Sequence, residues 1–109
     1  MAGHFEIETR PDGQFMFSLK VGHEAILRSE AYMTKAACLS GIEAVKKNAG
    51  EDGRYRRTAN PDGSYRFALD AANGQTIGAG EYFATAGERD DAIEFVRKNA
   101  ADAEVRDLT

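Results

Sequence analysis

Two glutamates, Glu30 and Glu81, stand in matching phrases of one chain, "SEAYMT" and "GEYFAT". Brought together across a twofold axis, they would have the residue types for a general acid and a general base. A structural role competes with that chemistry and is favoured. Each glutamate lies just before a helix start, where its carboxylate would bond backbone amides at a joint that both halves of the chain need. Oxyanion binding is the second chemistry on offer. "RYRR" supplies Arg54, Arg56 and Arg57, and Arg66 stands on the neighbouring strand. Aligning Phe5 with Tyr55 puts Arg57 where Ile7 stands, an inward strand position, so Arg57 must be paired or snorkel. Arg54, Arg56 and Arg66 would share the other face as a basic strip, with Tyr55 and Tyr65 opposite. Guanidinium forks suit phosphates and carboxylates, and aromatic rings stack on bases, so a phosphate, a carboxylate or single-stranded nucleic acid are all candidate ligands. Ion pairing within a chain of eighteen acidic residues is the competing reading.

Other chemistry has less support. His4 and His23 are the two histidines, and no His-x-x-x-His or Cys-x-x-Cys spacing suggests a metal. His23 belongs to a turn, and His4 faces away from the expected core beside a chain end. Cys38 falls on an apolar helical stripe and its counterpart is Arg89, so no nucleophile is duplicated. Ser29 has no triad partners. Gly78-Ala79-Gly80 lacks the third glycine and the helix spacing of a dinucleotide loop, and no cofactor is implied.

The elements that must position these residues come from a duplication. "RPDGQFMFSLK" and "NPDGSYRFALD" share Pro11/Pro61, Asp12/Asp62, Gly13/Gly63, Phe17/Phe67 and Leu19/Leu69 at a shift of fifty. A turn then adds one residue, and at fifty-one Glu30/Glu81, Thr34/Thr85, Ile42/Ile93, Val45/Val96 and Asn48/Asn99 coincide. "HFEIET" alternates as a half-buried strand, and Pro-Asp-Gly favours a tight hairpin turn. Phe15, Phe17 and Leu19, repeated as Tyr65, Phe67 and Leu69, form the inward set of a second strand. Gly22-His23 and Asn73-Gly74 lead into short third strands around residues 25–28 and 76–79. Thr34 and Thr85 cap helices, the second with Glu88 in a capping box, and Gly50 is expected to stop the first.

These motifs resemble the YegP-like family of small bacterial proteins. Its pattern reads here as "GQFMFSL", "SEAYMT" and "VKKN" in the first unit, and as "GSYRFAL", "ANGQ", "GEYFAT" and "VRKN" in the second. The resemblance runs from about His4 to Leu108, and it implies a two-layer α+β fold with exchanged terminal strands and no known activity. Gly22-His23 in place of the first Asn-Gly, and Gly80 in place of the second serine, depart from the pattern.

A single domain over residues 1–109 is therefore expected, with repeat one at 4–52 and repeat two at 53–109, the latter including a C-terminal strand. The fold class is α+β: two tandem β-β-β-α units share one antiparallel sheet, with both helices on one face and terminal strands exchanged. "RYRRT" and "AEVRDL", each following a helix, are expected to pair across the halves. One repeat alone buries too little surface to be stable. A net charge of −4 disfavours a general polyanion binder, and no apolar stretch is long enough to span a membrane. The lone cysteine and the lack of a signal-peptide pattern point to the cytoplasm. The expected role is non-enzymatic binding, foremost to a protein partner, by a pseudo-twofold monomer or weak homodimer. Anion or nucleic-acid binding through the arginines comes next, and an enzyme built on Glu30 and Glu81 last.

Overall fold

Alternation in β1 (His4–Thr9) buries Phe5 and Ile7 completely and turns His4, Glu6 and Glu8 to the opposite face. The computed structural model describes residues 3–109; the first two residues of the expected domain lie outside them. β2 (Phe15–Val21) follows through a turn in which Asp12 Oδ1 accepts from the Gln14 amide and Gly13 takes φ +85°. The second repeat builds the same turn, with Asp62 accepting from Ser64 and Gly63 at φ +88°. That left-handed backbone strains any residue with a Cβ, which is why the turn is written with glycine twice. β3 (Glu24–Arg28), α1 (Lys35–Asn48), β4 (Tyr55–Ala59), β5 (Tyr65–Asp70), β6 (Thr76–Ala79), α2 (Ala86–Asn99) and β7 (Glu104–Asp107) complete the chain.

Both threonines cap their helices: Thr34 Oγ1 accepts from the Ala37 amide, and Thr85 Oγ1 from the Glu88 amide, each at 3.1 Å. The helix ends differ from expectation. Gly50 has no left-handed φ, and α1 closes instead through Asn48, whose side-chain amide donates to Ala44 O at 2.8 Å. Asn99 does the same to Phe95 O at 2.9 Å in α2. A short 3-10 turn follows each helix, and after α1 the Glu51 amide donates back to Asn48 O at 3.1 Å.

The seven strands form one sheet in the order β4-β5-β6-β3-β2-β1-β7. Of the two strands expected to pair across the halves, only β7 does so, returning to β1 of the first repeat; β4 pairs with β5 of its own repeat, as β1 pairs with β2. All pairings are antiparallel except β1/β7, which is parallel and departs from the wholly antiparallel sheet expected. Nearly a hundred residues separate β1 from β7, so no tight hairpin dictates their sense. The repeats meet where β3 and β6 overlap at one residue pair, Arg28 and Ala79. That pair is the last residue of each strand.

Two helices bridge that thin seam. α1 packs on β2 of its own repeat and on β5 and β6 of the other, while α2 packs on β5 and on β3. One core results, in which Phe17, Leu27, Ile42, Phe67, Ile93 and Val96 are sealed from solvent. Burying each such side chain contributes roughly 1.5–3 kcal/mol. Phe15 and Tyr65, at the hairpin ends, are only half-buried.

The two central phenylalanines explain a departure from the repeat. Phe17 stacks on Tyr32 at 6.2 Å and Phe67 on Phe83 at 6.4 Å. A Cβ on Gly41, on the helix side of Phe17, would collide with the Tyr32 ring and lie 2.9 Å from Phe17. A Cβ on Gly80, on the strand side of Phe67, would collide with the Phe67 ring. The answering positions carry side chains: Ala92 on the second helix and Ser29 on the first repeat's strand end. Each repeat thus relieves its central ring with one glycine, on opposite sides. Ser29, keeping its hydroxyl, accepts from the Phe17 amide at 2.9 Å and donates to Glu30 O at 2.7 Å.

Candidate functional site

The face of the sheet that carries no helix differs sharply between repeats. In repeat one, Lys20 meets Glu6 at 2.8 Å; in repeat two, Arg56 meets Asp70 at 3.2 Å. Glu6 answers Arg56 and Lys20 answers Asp70 at the shift of fifty, so the same cross-strand ion pair is kept with its polarity reversed. Each pairing holds its carboxylate below the usual range. For Glu6 the Lys20 bond is the main cause and the His4 contact the next, and for Asp70 the Arg56 bond leads. Met16 and Ser18 in repeat one become Arg66 and Ala68 in repeat two.

That exchange leaves a groove. Two adjoining clefts, of about 330 Å³ and 240 Å³, share Arg66, Thr76 and Ala79. Small residues, Ala68, Gly78 and Ala79, form the floor. Arg56 and Asn60 stand at one end, and Arg28, Glu30, Glu81 and Tyr82 at the other, beside the seam where β3 and β6 meet. The thin strand junction and the small floor together account for the hollow.

Arg66 lies where the two clefts join. Its Nε donates to Gly80 O at 3.0 Å, and its guanidinium sits 5.0 Å from the centre of the Tyr82 ring. Backbone and ring hold it in one orientation. Every other arginine of the chain has a carboxylate within ion-pair distance; Arg66 has none among the described residues. Its Nη donors are the part of the fork that Gly80 does not engage.

The four arginines do not form the single strip expected from the sequence. Arg54 belongs to the 3-10 turn before β4 and bonds Asn48 Oδ1 and Glu51. Arg57 is paired, with Asp52 at 2.8 Å and Asp90 at 3.5 Å, on the helix side of an edge strand. Its bond keeps the Asp52 carboxyl low. Arg56 and Arg66 alone share the open face. Alternation could not place Arg54, because the strand starts only at Tyr55. Tyr55 and Tyr65 offer no stacking platform: Tyr55 is buried, donating its hydroxyl to Ala49 O, and Tyr65 lies beneath the Arg89 guanidinium.

Glu30 and Glu81 both line the larger cleft, but neither carboxylate bonds backbone amides as expected. Glu81 accepts from Arg28 Nε at 2.7 Å instead, across the seam between the repeats. Both glutamates are exposed. His4 lies on the open face as expected, but is buried there with Nε2 2.7 Å from Glu6. Burial also pushes the Cys38 thiol up, away from nucleophilic use. Among the described residues no cluster of metal-ligating side chains occurs, and no helix is long and apolar enough to cross a membrane. Sequence reasoning missed Arg28, Thr76 and Tyr82. Strand alternation from Leu27 would have found Arg28; Tyr82 lies outside any strand and had no such signal.

Comparison with known proteins agrees with the fold. The family model described as "Domain of unknown function (DUF1508)" matches residues 11–55 and 60–107. A UPF0339 protein in the ptx operon 5'region of Stutzerimonas stutzeri is 44% identical over 106 residues, covering 96% of each chain. The UPF0339 protein YegP of Escherichia coli O157:H7 is 41% identical over 110 residues, covering 100% of each. The solution NMR structure of yegP from E. coli, a protein of unknown function, superposes with a TM-score of 0.92 at 40% identity, over 100% of this chain and 95% of that one. The solution NMR structure of the UPF0339 protein SO3888 from Shewanella oneidensis gives 0.93 at 35% identity, over 100% and 93%.

Proposed function

Because the chain belongs to the DUF1508 family, whose description names no activity, we propose its role from the groove itself: a non-enzymatic, cytoplasmic module that binds a protein partner by a carboxylate. The carrying observation is Arg66, half-buried, oriented by Gly80 and Tyr82 and lacking a carboxylate of its own. An extended peptide laid along the small-residue floor would bring an acidic side chain or chain end to its Nη donors. Tyr82, 63% exposed, would add apolar contact.

The same geometry counts against nucleic acid. A phosphate backbone needs several free cations. Arg28 and Arg56, the other groove arginines, are already paired with Glu81 and Asp70, and the chain is acidic overall. One free guanidinium suits one anionic group.

Calorimetric titration with a library of capped, Asp- or Glu-containing hexapeptides, each with its Asn or Gln counterpart, tests the proposal. Acidic members should bind and their amide counterparts should not. Arg66→Met, which installs the residue that repeat one carries at Met16, should weaken binding by about 10-fold or more, the worth of a hydrogen bond to a charged group. Equal binding by both peptide types, or by the Met variant, would overturn it. Stronger binding of single-stranded DNA at moderate salt would replace it with the polyanion reading.

A further inference from the structure

We propose that β7 is a self-association edge, on which a second copy of this chain pairs antiparallel to extend the sheet. Among the described residues β7 pairs in the sheet with β1 alone, which leaves its other edge open. Val105 lies in register with Phe5, and Asp107 with Ile7, so these two side chains turn to the helix-bearing face; Asp107 there meets Lys35 of α1 at 2.9 Å. Val105 is 39% exposed, leaving apolar surface on this edge. Glu104 and Arg106 alternate onto the other face, where they pair with each other.

Charge selects the occupant. Setting a twofold axis at Val105 places Val105 opposite its copy, Glu104 opposite the copy's Arg106, and Arg106 opposite the copy's Glu104. The four charges then alternate in sign, and opposite-charge cross-strand neighbours stabilise a sheet. The other edge has no such match. Pairing β4 with its copy about Arg57 would oppose two arginines, and Arg89 already donates to Thr58 O on that strand. Charged edges of that kind resist association. The β7 edge also lies at the far end of the sheet from the β5/β6 groove, so pairing leaves the groove open and stands independently of its ligand.

Sedimentation equilibrium over a concentration series tests this. The weight-average mass should rise from the 11.9 kDa of one chain toward twice that value. Glu104→Arg alone sets four arginines together, and Arg106→Glu alone sets four glutamates; each variant should remain monomeric. Mixed together they should associate, since every cross-strand pair in the mixed dimer is again opposite in sign, and the double variant should associate by itself. These positions are exposed, so both variants should keep the parent's melting temperature within a few degrees. A parent that stays monomeric up to ~1 mM, or single variants that associate as the parent does, or a mixture that does not, would overturn the proposal.

Discussion

Replacing Gly80 by alanine should damage the second repeat far more than an extra methyl on a strand end suggests. The added Cβ would enter the ring of Phe67, which is almost fully buried and stacked on Phe83, so that ring cannot yield without displacing its neighbours. Overpacking of this kind costs about 1–3 kcal/mol. In a domain of this size that lowers the melting temperature by about 5–15 °C. Ala92→Gly should cost about 2 kcal/mol alone, from helix propensity and a lost buried methyl. Combined, the two recreate the arrangement of repeat one, where the helix carries Gly41 and the strand end carries a side chain. Phe67 can then move toward the helix, and the pair should cost about as much as Ala92→Gly by itself. Urea unfolding of the parent, both single variants and the double variant would measure the coupling. Additive costs, within ~0.5 kcal/mol, would refute the claim that each repeat relieves its central ring with one glycine.

Acid should unfold the protein by releasing its paired carboxylates. Glu6, Asp52 and Asp70 are held low chiefly by bonds to Lys20, Arg57 and Arg56, and Asp107 is held to about 2, first by Thr109 and then by Lys35. A folded value below the unfolded one stabilises above the unfolded value and is lost as pH falls through the folded one. The urea midpoint should therefore be level from pH 7 to about 5, then fall steadily below the ordinary Glu and Asp values of 4.5 and 3.8; a level midpoint down to pH 2.5 would contradict it. A fragment of residues 1–52 loses β7 beside β1 and α2 over β3. By circular dichroism and gel filtration it should be unfolded or self-associated, and a stable folded monomer would refute the shared core. Thr34→Ala and Thr85→Ala should each cost about 1 kcal/mol in chemical unfolding, and a change below ~0.3 kcal/mol would deny their caps a role.

Most of the fold was legible because it is written twice. Turn chemistry at Asp12-Gly13 and Asp62-Gly63, alternation around Phe17 and Phe67, and the threonine caps are local signals, and local structure follows them. The parallel entry of β7 was not legible, since nothing near Glu104 states the sense of a strand almost a hundred residues away. The site was harder still. Alternation placed Arg56 and Arg66 on one face and gave Arg57 a paired position, but Arg54 fell outside the strand. What singles out Arg66 is negative, the lack of a carboxylate, and that depends on side chains drawn from the whole sheet. Tyr82, its ring partner, lies past the end of β6 at Ala79, where strand alternation gives no signal.

Arginine side-chain NMR reports most directly on the central claim. Spectra of the protein's Nε–Hε groups, recorded while a capped glutamate peptide that binds the parent is added, should show the Arg66 resonance shifting most, with those of Arg54 and Arg57 unmoved. A peptide that binds while the Arg66 signal stays fixed would contradict the account and place recognition elsewhere on the molecule.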